Sequence, residues 1–182
     1  MGRTFTHRFR VRWGECDPQN IVFNAHYVAY FDMAITELWR EALGGYTSMV
    51  AAGTDMVVAE ANVRYLGPAG FDDELEIEVT IAKMGTTSIT SAHTVRKGDD
   101  VVVGGWLRHV FIDAATKEKT PIPEEIRAKL QPYASTHAGE EEGRPRRGAG
   151  EQEGRPRRGA GDEEGRPQRG AGDEEGRPQR VG

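Results

Sequence analysis

Apolar and polar positions alternate strictly between residues 5 and 13. Phe5, His7, Phe9, Val11 and Trp13 fall on one face, and Thr6, Arg8, Arg10 and Arg12 on the other. A period of two predicts a half-buried strand. From about Asn24 the period lengthens to that of a helix: Tyr27, Tyr30, Phe31, Ala34, Leu38 and Ala42 share one stripe, and Gly44-Gly45 supplies a C-terminal stop. Some 18 to 20 residues of helix would run roughly 27 to 30 Å, enough to cross a small sheet. Four more strands are predicted at 55–66, 74–83, 86–96 and 101–112. In the second of these Leu75, Ile77, Val79 and Ile81 alternate with Glu74, Glu76, Glu78 and Thr80, so one face is wet. The breaks GPAGFDD, MG and KGDD are short and turn-like, which predicts an antiparallel meander. TPIPEEIRAKL then reads as a short helix with proline near its first turn.

One strand, one long helix and four antiparallel strands make an α+β domain whose sheet wraps the helix, and residues 1–134 suffice for it. The remainder, 135–182, differs in kind. From Glu140 an 11-residue unit repeats: EEEGRPRRGAG, EQEGRPRRGAG, DEEGRPQRGAG and a truncated DEEGRPQRVG. The period has no apolar seam and each unit carries proline and glycine, so a disordered low-complexity tail is expected rather than a supercoil.

Charge excludes some functions. Up to Gly139 there are 14 Lys or Arg against 18 Asp or Glu, and beyond it 10 Arg against 11 acids, so nucleic acid is not an expected partner. No apolar run is long enough for a bilayer, and no signal-peptide core is evident, so a cytoplasmic protein with no membrane partner is expected. Cys16 is the single cysteine, read as a packing residue because the neighbouring carboxylate disfavours a thiolate. His93 and His109 fall in predicted strands and are expected to be hydrogen-bonded sheet histidines. HExxH, CxxC and GxSxG spacings are absent, which points away from a metal, a cofactor and a serine esterase.

Asp17 precedes Pro18 in GECDPQN, ahead of the long helix. Two readings stand side by side. In one, the carboxylate closes an Asx turn at the end of the first strand. In the other, the chain curls back so that the carboxylate and the unpaired N–H groups at the helix start face one point, where a carbonyl would meet an acceptor on one side and donors on the other. That is an acyl-transfer site in outline.

The stretch from Gly14 to Tyr27, GECDPQNIVFNAHY, followed by Tyr30-Phe31-Asp32, resembles the active-site segment of the hotdog-fold acyl-CoA thioesterases, in particular the 4-hydroxybenzoyl-CoA thioesterase and YbgC-like branches. The resemblance continues through Tyr65-Leu66-Gly67-Pro68-Ala69, Phe71 to Ile77 and Gly85 to Ser88, and covers about residues 5–130. It implies a five-stranded antiparallel sheet around a central helix, assembly into homodimers or homotetramers, and active sites at the subunit interface. It implies Asp17 as nucleophile or general base and the backbone N–H of Asn24 as the group that polarises the thioester carbonyl. Phe23 and Tyr27 are expected to border the acyl pocket. His26 is expected either to orient Asp17 or touch substrate, or to cap or pack the helix. Many relatives have glycine where this chain has Asn20, a residue that also tolerates a left-handed backbone. Aryl-CoA members carry basic residues near the turn matching Met84 to Thr87; here Lys83 stands beside that turn, and Lys83, Arg64 or Lys97 would hold the coenzyme's phosphates. The implied partner is an acyl-CoA or aryl-CoA, with an acyl carrier protein or a non-catalytic acyl-thioester binding domain as alternatives.

Overall fold

The computed structural model of the chain describes residues 2–135, and the expected disordered segment from 136 onward lies outside them. Strand β1 spans Phe5–Arg10, with Phe5 buried and Thr6, Arg8 and Arg10 exposed as the alternation predicts. The pattern carries on to buried Val11, whose N–H donates to the Asp73 carbonyl at 3.0 Å, and stops there. Trp13 does not join this face: it opens a 3-10 turn, Trp13–Glu15, and is 70% exposed. The Glu15 carboxylate accepts the Arg12 N–H at 2.7 Å and turns the chain before the alternation can reach residue 13.

Helix α1 runs His26–Leu43, two residues later than the period suggests, because Asn24 and Ala25 form the turn that leads into it. It ends as predicted at Gly44, left-handed with φ 79°, whose N–H donates to the Trp39 carbonyl. A short helix α2, Tyr46–Ala51, follows; six residues are too few to print a readable period. The remaining strands are β2 (Thr54–Tyr65), β3 (Glu74–Met84), β4 (Ser88–Lys97) and β5 (Asp100–Asp113), followed by α3 (Glu124–Leu130) and a 3-10 turn at Gln131–Tyr133. Among the described residues no helix is long and apolar enough to cross a membrane.

The five strands form one antiparallel sheet in the order β1-β3-β4-β5-β2. Only β3, β4 and β5 form the predicted meander. β2 pairs with β5 at one edge, so residues 66–73 are a crossover to β3 near the opposite edge and not a hairpin turn. Turn-forming residues report a local reversal of the chain, not which sheet edge is still free. This crossover supplies one wall of the site described below.

The sheet wraps α1, the hotdog arrangement. Tyr27, Tyr30, Phe31, Ala34, Ile35, Leu38 and Trp39 bury one stripe of the helix against Leu75, Ile77, Val79 and Ile81 of β3 and the inward positions of β4 and β5. Each such aliphatic or aromatic side chain contributes about 1.5 to 3 kcal/mol on full burial. Gly105 sits where the helix comes closest. A Cβ there would run into the Asn62 carbonyl oxygen and stand 2.7 Å from Phe31 Cε2. Because one of these neighbours is backbone, Gly105→Ala is expected to destabilise the protein by about 2 to 3 kcal/mol, read as a lower urea midpoint at unchanged slope.

Two inward positions are histidines. His93 stacks on Phe31 with ring centroids 4.5 Å apart, and His109 meets Trp39 edge-on at 6.0 Å. Ser91 Oγ lies 2.9 Å from His93 Nε2, but Nδ1 of both histidines is buried without a hydrogen-bond partner among the described residues. They are therefore not the fully bonded sheet histidines expected from sequence. Burial drives His93 down to about 3, helped by the charge His109 would carry, and burial alone takes His109 down to about 4.

Candidate functional site

The chain between the first strand and α1 is a tight loop closed by a bridge between Cys16 and Val22. Asp17 donates its N–H to the Ile21 carbonyl, and the Asp17 carbonyl accepts the Asn20 N–H, both at 2.9 Å. Asn20 is left-handed with φ 60°, so the turn expected to survive without glycine does so. Asp17 Oδ1 accepts the Gln19 N–H at 2.8 Å, which is the Asx turn. The two sequence readings are thus compatible, since a carboxylate has a second oxygen, and Asp17 Oδ2 has no partner among the described residues.

Contacts on two sides hold this loop. Toward the crossover, the Val22 N–H donates to the Ala69 carbonyl at 2.8 Å and Ile21 bridges to Gly70. A Cβ on Gly70 would stand 3.0 Å from the Asn20 carbonyl oxygen, so glycine lets the two segments touch. Asp73 Oδ2 secures the crossover, accepting the Gly70 N–H and pairing with Lys97 Nζ, both at 2.7 Å. Burial works to raise the Asp73 carboxyl, but the Lys97 ammonium and the Gly70 N–H outweigh it and hold it below the usual range. Toward the helix, Glu15 accepts the Tyr30 hydroxyl at 3.0 Å through its side chain and the Phe23 N–H at 2.9 Å through its carbonyl. Burial, then that bond to Glu15, pushes the Tyr30 phenol well above its ordinary value.

At the helix mouth the His26 N–H donates to the Phe23 carbonyl at 2.9 Å and the Tyr27 N–H to the Asn24 carbonyl at 3.3 Å. The N–H groups of Asn24 and Ala25 have no acceptor among the described residues. These are the donors a helix start leaves unpaired. Asn24, though not Ala25, lines a cleft of about 410 Å³ that is walled by Asp17, Phe23, Asn24 and Tyr27 together with Tyr65, Leu66 and Ala69. Burial, followed by the neighbouring Tyr65, pushes the Tyr27 phenol up to about 12, so it stays protonated at neutral pH. One unengaged carboxylate oxygen and one unengaged N–H on the same cleft are suited to addition at a carbonyl carbon.

Of the expected site residues, Asp17, Phe23, Asn24 and Tyr27 are brought together. His26 is half-buried, its ring 6.2 Å from Phe23 and 6.4 Å from Tyr30, contacts that fit the packing alternative. Arg64 is exposed on β2 and alternates with Tyr65, so it points to the other face of the sheet. Lys83 is exposed near the end of β3, about 30 Å along the strand from Glu74 at the cleft end. Neither basic residue walls the cleft of a single chain. Tyr65 and Leu66 were not expected in the site. In the structure they stand out as an aromatic and an aliphatic residue left half exposed at a strand end before Gly-Pro, which spacing along the chain does not reveal.

The sequence profile of the thioesterase-like superfamily matches residues 11–130. The chain is 27% identical over 123 residues to the acyl-CoA thioester hydrolase YbgC of Escherichia coli, covering 67% of this chain and 92% of that one. It is 29% identical over 112 residues to the 4-hydroxybenzoyl-CoA thioesterase of a Pseudomonas species, covering 56% and 76%. Among solved structures, a hypothetical protein from Aquifex aeolicus superposes with a TM-score of 0.66 at 28% identity, covering 69% of this chain and 98% of that one. With the profile spanning most of the folded region, and a sheet wrapped around one helix as the resemblance implied, this chain belongs to the thioesterase-like superfamily.

Proposed function

We propose that the chain is a hydrolase of acyl-CoA thioesters, releasing a carboxylic acid and free CoA. The observation that carries this reading is the shared cleft of Asp17, with one oxygen unengaged, and the unpaired Asn24 N–H. Asp17 acts as general base on a water, or adds directly to the carbonyl carbon, expels the thiolate and leaves a mixed anhydride that water then hydrolyses to the acid and free Asp17. In the first route the water oxygen bonds to the carbonyl carbon, its proton passes to Asp17, and the carbonyl electron pair moves onto an oxyanion facing the Asn24 N–H. Collapse of that intermediate breaks the C–S bond. The leaving thiolate is a far weaker base than an amine's nitrogen anion and needs little acid assistance. An amide would have to expel a far more basic nitrogen, which must be protonated before the C–N bond breaks, so a thioester is the better match. A general base is worth on the order of 100- to 10,000-fold in rate and one oxyanion donor about 2.7 to 4 kcal/mol.

The reading extends to assembly and substrate. β2 is a 12-residue edge strand with Val57 and Val58 about half exposed, a surface suited to pairing with a second copy. In a homodimer or homotetramer, Arg64 or Lys83 of a second subunit would serve CoA phosphates that the same residues of one chain do not reach. Such an enzyme would work in the cytoplasm. The test is thiol release from short, long and aromatic acyl-CoAs and from an acyl carrier protein. The expected outcome is multiple turnover on at least one acyl-CoA. Binding of acyl-CoA with no thiol released would reassign the chain as a non-catalytic binding domain, and release from the carrier protein alone would reassign the substrate.

A further inference from the structure

Tyr65 is the last residue of β2 and has 51% of its surface exposed, so its ring adds little to the core. Its backbone is nevertheless held firmly. Tyr65 pairs with Val103 in the sheet, and the next two N–H groups, of Leu66 and Gly67, both donate to the Val102 carbonyl, at 2.9 and 3.0 Å. From this fixed base the hydroxyl crosses the cleft and donates to the Asn24 carbonyl at 3.1 Å. The ring also meets Tyr27 edge-on, with centroids 5.8 Å apart.

Among the described residues the Asn24 carbonyl has one other partner, the Tyr27 N–H at 3.3 Å, a long bond for a first helical turn. Without the tyrosine, the orientation of residue 24 would rest on that bond and on the neighbouring His26 N–H to Phe23 carbonyl contact. Asn24 and Ala25 are both exposed, and the carbonyl held by Tyr65 belongs to the Asn24–Ala25 peptide, one Cα beyond the Phe23–Asn24 peptide that carries the Asn24 N–H and whose own carbonyl is held by the His26 N–H. An unpaired N–H at a helix start stabilises an oxyanion only if it is already aimed when the charge develops.

We propose that Tyr65 is a positioning residue: its hydroxyl ties the Asn24 carbonyl to the end of β2, which restrains through the Asn24 Cα the turn that carries the Asn24 N–H. The inference rests on the reading of Asn24 as the oxyanion donor. The tyrosine touches neither the thioester nor the attacking group, and it acts through the turn alone.

The test is steady-state thiol release by the full chain as wild type, Tyr65→Phe and Asp17→Asn, on the best acyl-CoA substrate. Phenylalanine keeps the ring against Tyr27 and removes only the donor. A single neutral hydrogen bond lost from the transition state is worth a factor of about 3 to 10. The expected result for Tyr65→Phe is a kcat lower by about that factor, KM within about twofold, and a thermal midpoint within about 2 °C of wild type. A tyrosine that merely contacts substrate would instead raise KM at unchanged kcat, and one that merely supports the fold would lower kcat and midpoint together; either result overturns the inference. Wild-type kinetics in Tyr65→Phe with an inactive Asp17→Asn overturn the role of Tyr65 alone. Full activity in Asp17→Asn overturns the parent reading and this one with it.

Discussion

Acidification from pH 6.5 to 4.5 is expected to remove about 5 kcal/mol of stability from this domain, chiefly through two residues remote from the cleft. His93 and His109 are 2% and 4% exposed, and their folded values lie at about 3 and about 4 against an ordinary 6.5. Between those limits the unfolded chain binds two protons that the folded chain refuses. Unfolding therefore takes up protons, and stability rises with pH. It is fully present above about pH 6.5 and declines as pH falls, by about 1.4 kcal/mol per unit for each histidine. A loss of about 5 kcal/mol rivals the whole stability of an ordinary domain. Asp73, held below the usual carboxylate range against the pull of burial, and Asp55, held there first by the Tyr46 hydroxyl, act in the same direction only at lower pH. The measurement is urea unfolding at a series of pH values, with His109→Leu as the comparison. His109 Nδ1 has no partner to lose among the described residues, so leucine is expected to leave neutral-pH stability nearly unchanged and to halve the slope between pH 6.5 and 4.5. An unchanged slope in His109→Leu would show that the acid sensitivity arises elsewhere.

Much of this architecture can be read from local pattern. The stripe from Tyr27 to Leu38, the stop at Gly44 and the alternation from Leu75 to Ile81 each reflect a period set by backbone geometry, and each appears where the pattern places it. The Asp17 turn is legible for the same reason, because Asp-Pro and a left-handed Asn20 are local features. What fails is non-local. GPAGFDD reads as a hairpin turn yet spans from one side of the sheet to the other, since the choice of partner for β2 depends on β5, some 40 residues away. Trp13 continues a visible alternation that a side-chain bond from Glu15 interrupts. Arg64 and Lys83 have suitable charge, but the face of β2 and the end of β3 they occupy follow from register. Tyr65 enters the site only because the crossover folds back over the helix mouth, and spacing along the chain carries no trace of that.

Replacing Asp17 by asparagine is expected to lower turnover by about 100- to 10,000-fold and to leave the fold intact. The substitution separates the turn bond of this side chain from the catalytic role proposed for it. Asparagine keeps an Oδ1 that accepts the Gln19 N–H, so the turn closed by the 2.8 Å bond stands, and a change at this partly exposed loop is expected to shift stability by no more than about 0.5 kcal/mol. The negative charge is lost, and with it the capacity to take a proton from water or to attack a carbonyl carbon. Asp17→Ala is a poorer probe because it removes the turn bond as well. The Asn24 N–H is untouched by the change, so the residual rate measures what the helix mouth achieves alone. The most direct measurement is a single turnover, with protein in excess of acyl-CoA and the released thiol trapped as it forms. Wild type is predicted to release one thiol per substrate, and Asp17→Asn to bind the same acyl-CoA but release thiol with a rate constant at least about 100-fold smaller. A folded Asp17→Asn protein that releases thiol at the wild-type rate constant would contradict the account.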